Sequence, residues 1–197
     1  FFDTAGEDMN SQETMAYVNR YIFRSDGIIL LVDPLQLDFV QSKFAASLNS
    51  PLPDRETETS DIVSRLISLI HEGRRASAGD QIGIPLALTL SKFDTVEPLV
   101  DPGLVVTKSS HQIGGFDAGD FQTINAEVQA LIDRWGGAFL LQQIRTAFRH
   151  SGFFAVSALG SAPRENSMFT VRPKRVADPF LWILYVHRLI KARPESP

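Results

Sequence analysis

Three short apolar runs, separated by segments of helical periodicity, decide the fold class of this chain. They occupy residues 27–32, 85–90 and 152–156. A continuous apolar run of this length, ended in the first case by Asp33-Pro34, suits a parallel strand buried on both faces. The segments between them carry helix signals. Asn10 with Glu13 resembles a capping box ahead of Met15, Val18 and Ile22. Ser60 can cap a helix whose apolar face is Ile62, Val63, Leu66, Ile67 and Ile70, ending at Gly73. Ile124, Val128, Leu131 and Trp135 form a stripe stopped by Gly136-Gly137, and Leu140, Ile144, Ala147 and Phe148 mark a further helix. Asp178-Pro179, a cap followed by proline at the first helical position, opens a last apolar helix over residues 180–190. Strands alternating with helices predict an α/β layer fold with a parallel sheet.

The chain opens on Phe1-Phe2 directly before Asp3-Thr4-Ala5-Gly6, which reads as the tail of a strand cut in the middle. Residues 1–197 are therefore expected to be the C-terminal part of a single domain. Two surface insertions are expected, near 34–57 and 100–120, where Ser, Asn, Pro, Gly and Asp gather.

Composition narrows the function classes. Hydrophobic residues make up 44% and charged residues 21%, as in an ordinary soluble globular protein. A net charge of −4 makes no case for nucleic acid or an anionic membrane as partner. The basic clusters, Arg74-Arg75 and residues 172–175, read as solvated loop charges. The chain has no cysteine, which removes disulfides and thiolate chemistry and fits a reducing, cytoplasmic setting. No apolar run approaches the roughly 20 residues that span a bilayer. His71, His111, His150 and His187 lie too far apart in sequence for a metal-ligand spacing, and no G-x-S-x-G elbow is present.

Ligands of open parallel sheets bind beyond the carboxyl ends of the strands. Three polar motifs follow apolar runs here: Asp3-Thr4-Ala5-Gly6, Ser91-Lys92-Phe93-Asp94 and Ser157-Ala158-Leu159. In this order they resemble the motifs of Ras-like, TRAFAC-type P-loop GTPases. Asp3-Thr4-Ala5-Gly6-Glu7 is similar to DxxG, Ser91-Lys92-Phe93-Asp94 to N/T-K-x-D, and Ser157-Ala158-Leu159 to the S-A-x motif that closes the base pocket. The likeness runs from residue 1 to about residue 160. The long insertions and the Asp178-Pro179 helix resemble the bacterial double-GTPase families.

The resemblance implies a three-layer GTPase-like fold and a switch protein that hydrolyses GTP to GDP with Mg²⁺. Asp3 would hold the metal through oxygen, as a hard cation on phosphates requires. Gly6 would offer its N–H to the γ-phosphate, and the helix over residues 9–23 would be the switch element. Asp94 would accept from N1 and N2 of guanine, and a matched buried polar site of this kind can discriminate by roughly 10⁴ or more. Lys92 would lay its stem along the base, Ala158 would donate its N–H to O6, and Ser157 and Leu159 would shape that turn. A protein partner is expected through the switch helix and the insertions.

The sequence departs from the family pattern in places. Glu7 stands where many members carry the glutamine that orients the attacking water, and a carboxylate beside a triphosphate is repelled. Ser91 replaces Asn or Thr. No G-x-x-x-x-G-K-[ST] occurs; residues 102–109 (PGLVVTKS) end suitably but lack both glycines. The alternative reading is a degenerate GTPase-like module that binds a protein partner without turnover.

Overall fold

The three apolar runs become three parallel strands of five residues each: β1 (Ile28–Val32), β2 (Leu86–Leu90) and β3 (Ser151–Ala155). They lie side by side in the order β1-β2-β3, with Val32 beside Leu90 and Leu90 beside Ala155. Their carboxyl ends therefore finish level, along one rim. The computed structural model describes residues 21–22, 24–47, 59–74, 77, 79–109, 115–160 and 171–193. Asp3, Gly6, Glu7, the expected helix start at Asn10 and the loop at 48–54 lie outside these residues.

Between the strands run α1 (Asp38–Ser47), α2 (Thr59–Arg74), the short α3 (Phe93–Val96), α4 (Ala118–Arg134) and α5 (Ala138–Ala147), and α6 (Asp178–Val186) follows β3. The result is a mixed α/β domain on a parallel sheet. Asp117 starts α4 with its carboxylate accepting from the Asp120 N–H, a side-chain cap on an otherwise unpaired helix donor. Gly136 ends it at φ +93°, a conformation that favours glycine. Asn125 on α4 reaches the outer edge of β3, its Oδ1 accepting from the Phe153 N–H at 3.0 Å.

Strand periodicity splits the core in two. Val32, Leu86, Leu88, Leu90, Phe153 and Ala155 face the larger cluster, with the buried sides of α2, α4 and α5. Ala87 and Phe154 face the smaller one, built with Phe116, Trp182 and Ile183. Aromatic rings dominate this second layer: Phe116 stacks on Tyr185 at 4.6 Å, and Trp182 meets Phe154 edge-on at 5.8 Å. Among the described residues no helix is long and apolar enough to cross a membrane.

Several sequence expectations need correction. Among the described residues the run at 27–32 is not covered on both faces: Ile29 is 37% and Leu31 64% exposed, while α6 packs over β2 and β3 and meets the β1 side at Gly27 through Ile183. Within the segment near 34–57, residues 34–47 form a 3₁₀ turn and α1, with Leu37 and Val40 in the core. Within 100–119, Val100, Val106 and Phe116 are buried, so the described parts of this Gly- and Ser-rich stretch reach into the core. Ser60 is not the cap but sits inside the first turn of α2, where its carbonyl accepts from Ser64. Leu69, absent from the predicted stripe, is buried there. Trp135 and Phe148 follow α4 and α5 as their terminal residues, and both are buried. Asp178 is the first residue of α6 rather than its cap, which is Ala177, and the helix stops at Val186, short of residue 190.

Candidate functional site

Where β2 ends, Ser91 turns toward the neighbouring strand. Its N–H and its hydroxyl both donate to the carbonyl of Val32, at 2.8 and 3.2 Å. Lys92 then takes a left-handed backbone conformation, φ 49° and ψ 35°, which costs a non-glycine residue roughly 1 kcal/mol. That turn drops Phe93 into the core and leaves Asp94 half-buried at the rim. The Lys92 ammonium sits 2.8 Å from Asp33 at the end of β1. Asp33 is engaged twice, since its other oxygen accepts from the Leu35 N–H at 3.0 Å.

The end of β3 is laced to the same place. Val156 donates to the Leu90 carbonyl at 2.8 Å, and Phe93 donates to the Val156 carbonyl at 3.0 Å. Ser157 follows, 1% exposed. Its hydroxyl donates to Asp94 Oδ1 and accepts from the Gly160 N–H at 2.7 Å. A hydroxyl suits this position because it donates and accepts at once. One carboxylate oxygen of Asp94 is thereby fixed, and the other meets no hydrogen-bond donor among the described residues. Ala158 and Leu159 stand exposed beside it, Leu159 by 39%. Two of the three motifs thus meet at one rim; Asp3, Gly6 and Glu7 are outside the described residues.

A second layer stands behind this pair that motif reading missed. The main chains of Ser157 and Lys174 bond in both directions, at 3.1 and 2.8 Å, and Arg172 donates to the Leu159 carbonyl at 3.0 Å. Gly160, at φ +81°, lies so close to this strap that a Cβ would stand 1.8 Å from the Arg172 carbonyl oxygen. Lys174 reaches both oxygens of Glu97, at 2.8 and 2.9 Å. Arg175 is not a solvated loop charge, as its basic neighbours suggested, but 5% exposed. It donates to Asp120, Asp178 and the carbonyls of Val105 and Lys108. Burial alone lowers the pKa of this guanidinium, but bonding to Asp120 and the charges of Asp120 and Asp178 outweigh it, and the net shift is upward. The only sequence hints were Asp33 closing an apolar run and a glycine three residues after Ser157.

The P-loop look-alike at 102–109 is unsuited to phosphate. Its amides at Val105 and Val106 are already taken by Glu127, at 3.0 and 2.8 Å. A groove of about 570 Å³ between α4 and α5, lined by Ala126, Ala130, Asp133, Leu141 and Arg145 among others, shares no residue with the rim motifs. Its polar residues, Gln129, Asp133, Gln142 and Arg145, lie on two helices rather than at the strand ends, where ligands of parallel sheets bind, so the rim is the better candidate site. Among the described residues no three His, Asp or Glu side chains gather to hold a metal ion.

No family model matches this chain, and no solved structure matches it. It is similar to one curated protein of Mycolicibacterium smegmatis, named "Putative ESX-1 scaffolding and assembly protein SaeC". The two are 27% identical over 202 residues, which cover 92% of this chain and 49% of SaeC. The chain spans about half the length of that relative.

Proposed function

We propose that this chain is the base-reading part of a Ras-like guanine-nucleotide-binding domain, which holds GTP or GDP with Mg²⁺ and hydrolyses GTP once a phosphate-binding loop is supplied. The observation that carries the reading is Asp94, pinned by Ser157 through one oxygen at the carboxyl rim of a parallel sheet. A half-buried carboxylate so held fits the paired N1 and N2 donors of guanine. Adenine lacks that donor pair, so an unmatched carboxylate rejects it. In this reading the Lys92 stem lies on one side of the base and Leu159 on the other, and the Ala158 N–H meets O6. Ser91 steadies the turn through Val32. Asp3 holds the metal, Gly6 meets the γ-phosphate, and Glu7 occupies the water-orienting position, where its charge favours slow turnover.

Base exchange in the intact protein tests this. GDP should bind at least about 100-fold tighter than ADP, on the scale of polar discrimination. Asp94→Asn should lose that preference and gain one for XDP, whose O2 accepts the new amide N–H. Equal affinity of the unaltered protein for GDP and ADP removes the reading.

The second reading is a GTPase-like module that serves protein assembly without turnover. It is favoured by the likeness to a protein named for scaffolding and assembly, and by Glu7. Partner binding would then use the switch helix over residues 9–23 and the segments near 34–57 and 100–120. Single-turnover GTP hydrolysis by the intact protein separates the two: product formation supports the enzyme, and tight guanine binding with no product supports the module.

A further inference from the structure

We infer that Lys174 and Glu97 are positioning residues for Asp94, acting through the strap at residues 172–175; this rests on the guanine-nucleotide reading of the rim.

The contacts around Asp94 close on themselves. Asp94 is bound by the Ser157 hydroxyl. The Ser157 main chain is paired on both sides with that of Lys174. The Lys174 ammonium holds both oxygens of Glu97. Glu97 stands three residues after Asp94, directly beyond α3. The four residues form a ring that returns to its start, and it spans the gap between the β2 and β3 loops twice. One crossing is the Ser157 to Asp94 bond, and the other is the ion pair behind it. With the ion pair gone, the loop carrying Asp94 keeps a single side-chain tie to the loop carrying Ser157.

The strap itself is anchored from outside the ring. Arg175, left-handed at φ 56° and buried, is bonded to Asp120 on α4, to Asp178 on α6 and to the carbonyls of Val105 and Lys108. Lys174 is thus presented from a fixed base. Its pair with Glu97 is partly buried, with side-chain exposures of 24% and 30%, so the thermal midpoint is followed beside affinity to separate a stabilising role from a positioning one. The bridge ties Glu97, beyond the loop after β2, to the strap that is paired with Ser157, so its loss bears on where the Asp94 carboxylate is held.

IDP is the probe, because its base keeps N1–H and lacks the N2 amine. The ratio of GDP to IDP affinity therefore reads whether Asp94 sits where both donors reach it. Binding of GDP, IDP and ADP to the intact protein is compared with that of Lys174→Met, of the milder Glu97→Gln, and of the swapped double variant Glu97→Lys with Lys174→Glu. Each single variant should shrink the GDP to IDP ratio about tenfold at most, as expected for indirect coupling. Thermal midpoints should stay close to that of the unaltered protein, and the swap should recover the ratio. An unchanged ratio in both single variants, or a ratio that falls in proportion to lost stability and is not recovered by the swap, overturns the inference. Absence of guanine preference in the unaltered protein overturns the site reading instead, and the two failures are distinguishable.

Discussion

β1 and β2 are neighbours of equal length, paired in register, yet their environments differ sharply. β1 reads IILLV and is the more apolar of the two; β2 reads LALTL and includes a threonine. Every residue of β2 is buried, whereas β1 alternates, with Ile29 and Leu31 exposed. Side-chain hydrophobicity therefore does not rank burial within this sheet. Position does: among the described residues β2 has a strand on each side, and α6 packs mainly over β2 and β3. The rim follows the same order. Asp94 and Ser157, on the loops after β2 and β3, bond directly, while the end of β1 contributes the supporting groups Val32 and Asp33.

Mutations in the two strands should differ in cost according to position, most of all in β2. Leu88→Ala empties a fully buried site in the middle of β2 and should cost about 3 kcal/mol in equilibrium urea unfolding. A loss below about 1 kcal/mol would mean that the central strand is not tightly enclosed. Gly27→Ala probes a place where α6 closes on the β1 side, since the added carbon would stand 2.6 Å from Ile183 Cγ2. A destabilisation of about 1–2 kcal/mol is expected from overpacking, seen as a lowered thermal midpoint. Thr89→Val removes a buried hydroxyl whose bond to the Ala87 carbonyl is long, 3.4 Å. Calorimetry should find it neutral or stabilising by less than about 1 kcal/mol, because little bonding is lost and no donor is left stranded. Leu31→Ser should be the mildest, within about 0.5 kcal/mol, as for other exposed positions. A cost above about 1 kcal/mol would show that this face of β1 is covered in solution.

The layer class was legible because buried parallel strands and amphipathic helices leave periodic marks in a chain. All three strands lie within a residue or so of the apolar runs that announced them. The stripe Ile124, Val128 and Leu131 is the buried side of α4. α1 left no such mark: Val40 is fully buried, but the helix is too weakly amphipathic for its face to stand out. Of the site, Ser91, Lys92, Asp94 and Ser157 were visible as motif residues, and the tie of Ser157 to Asp94 agrees with their being grouped. Asp33, Glu97, Lys174 and Arg175 were not. Each looks like an ordinary loop charge until the partner is known, and those partners are 59, 77 and 55 residues away for the bonds of Lys92, Lys174 and Arg175.

Local order along the chain was enough to specify alternating strands and helices, since that information lies in side-chain spacing within a few turns. It was also enough to put polar motifs just beyond the apolar runs, hence at strand ends. Which face of β1 stays open, which of four neighbouring basic and proline residues is driven inside, and how Ser157 and Lys174 come to be paired were decided by packing. Those outcomes depend on which elements meet in space, and a carboxylate carries no local sign of the cation that a distant segment will bring to it.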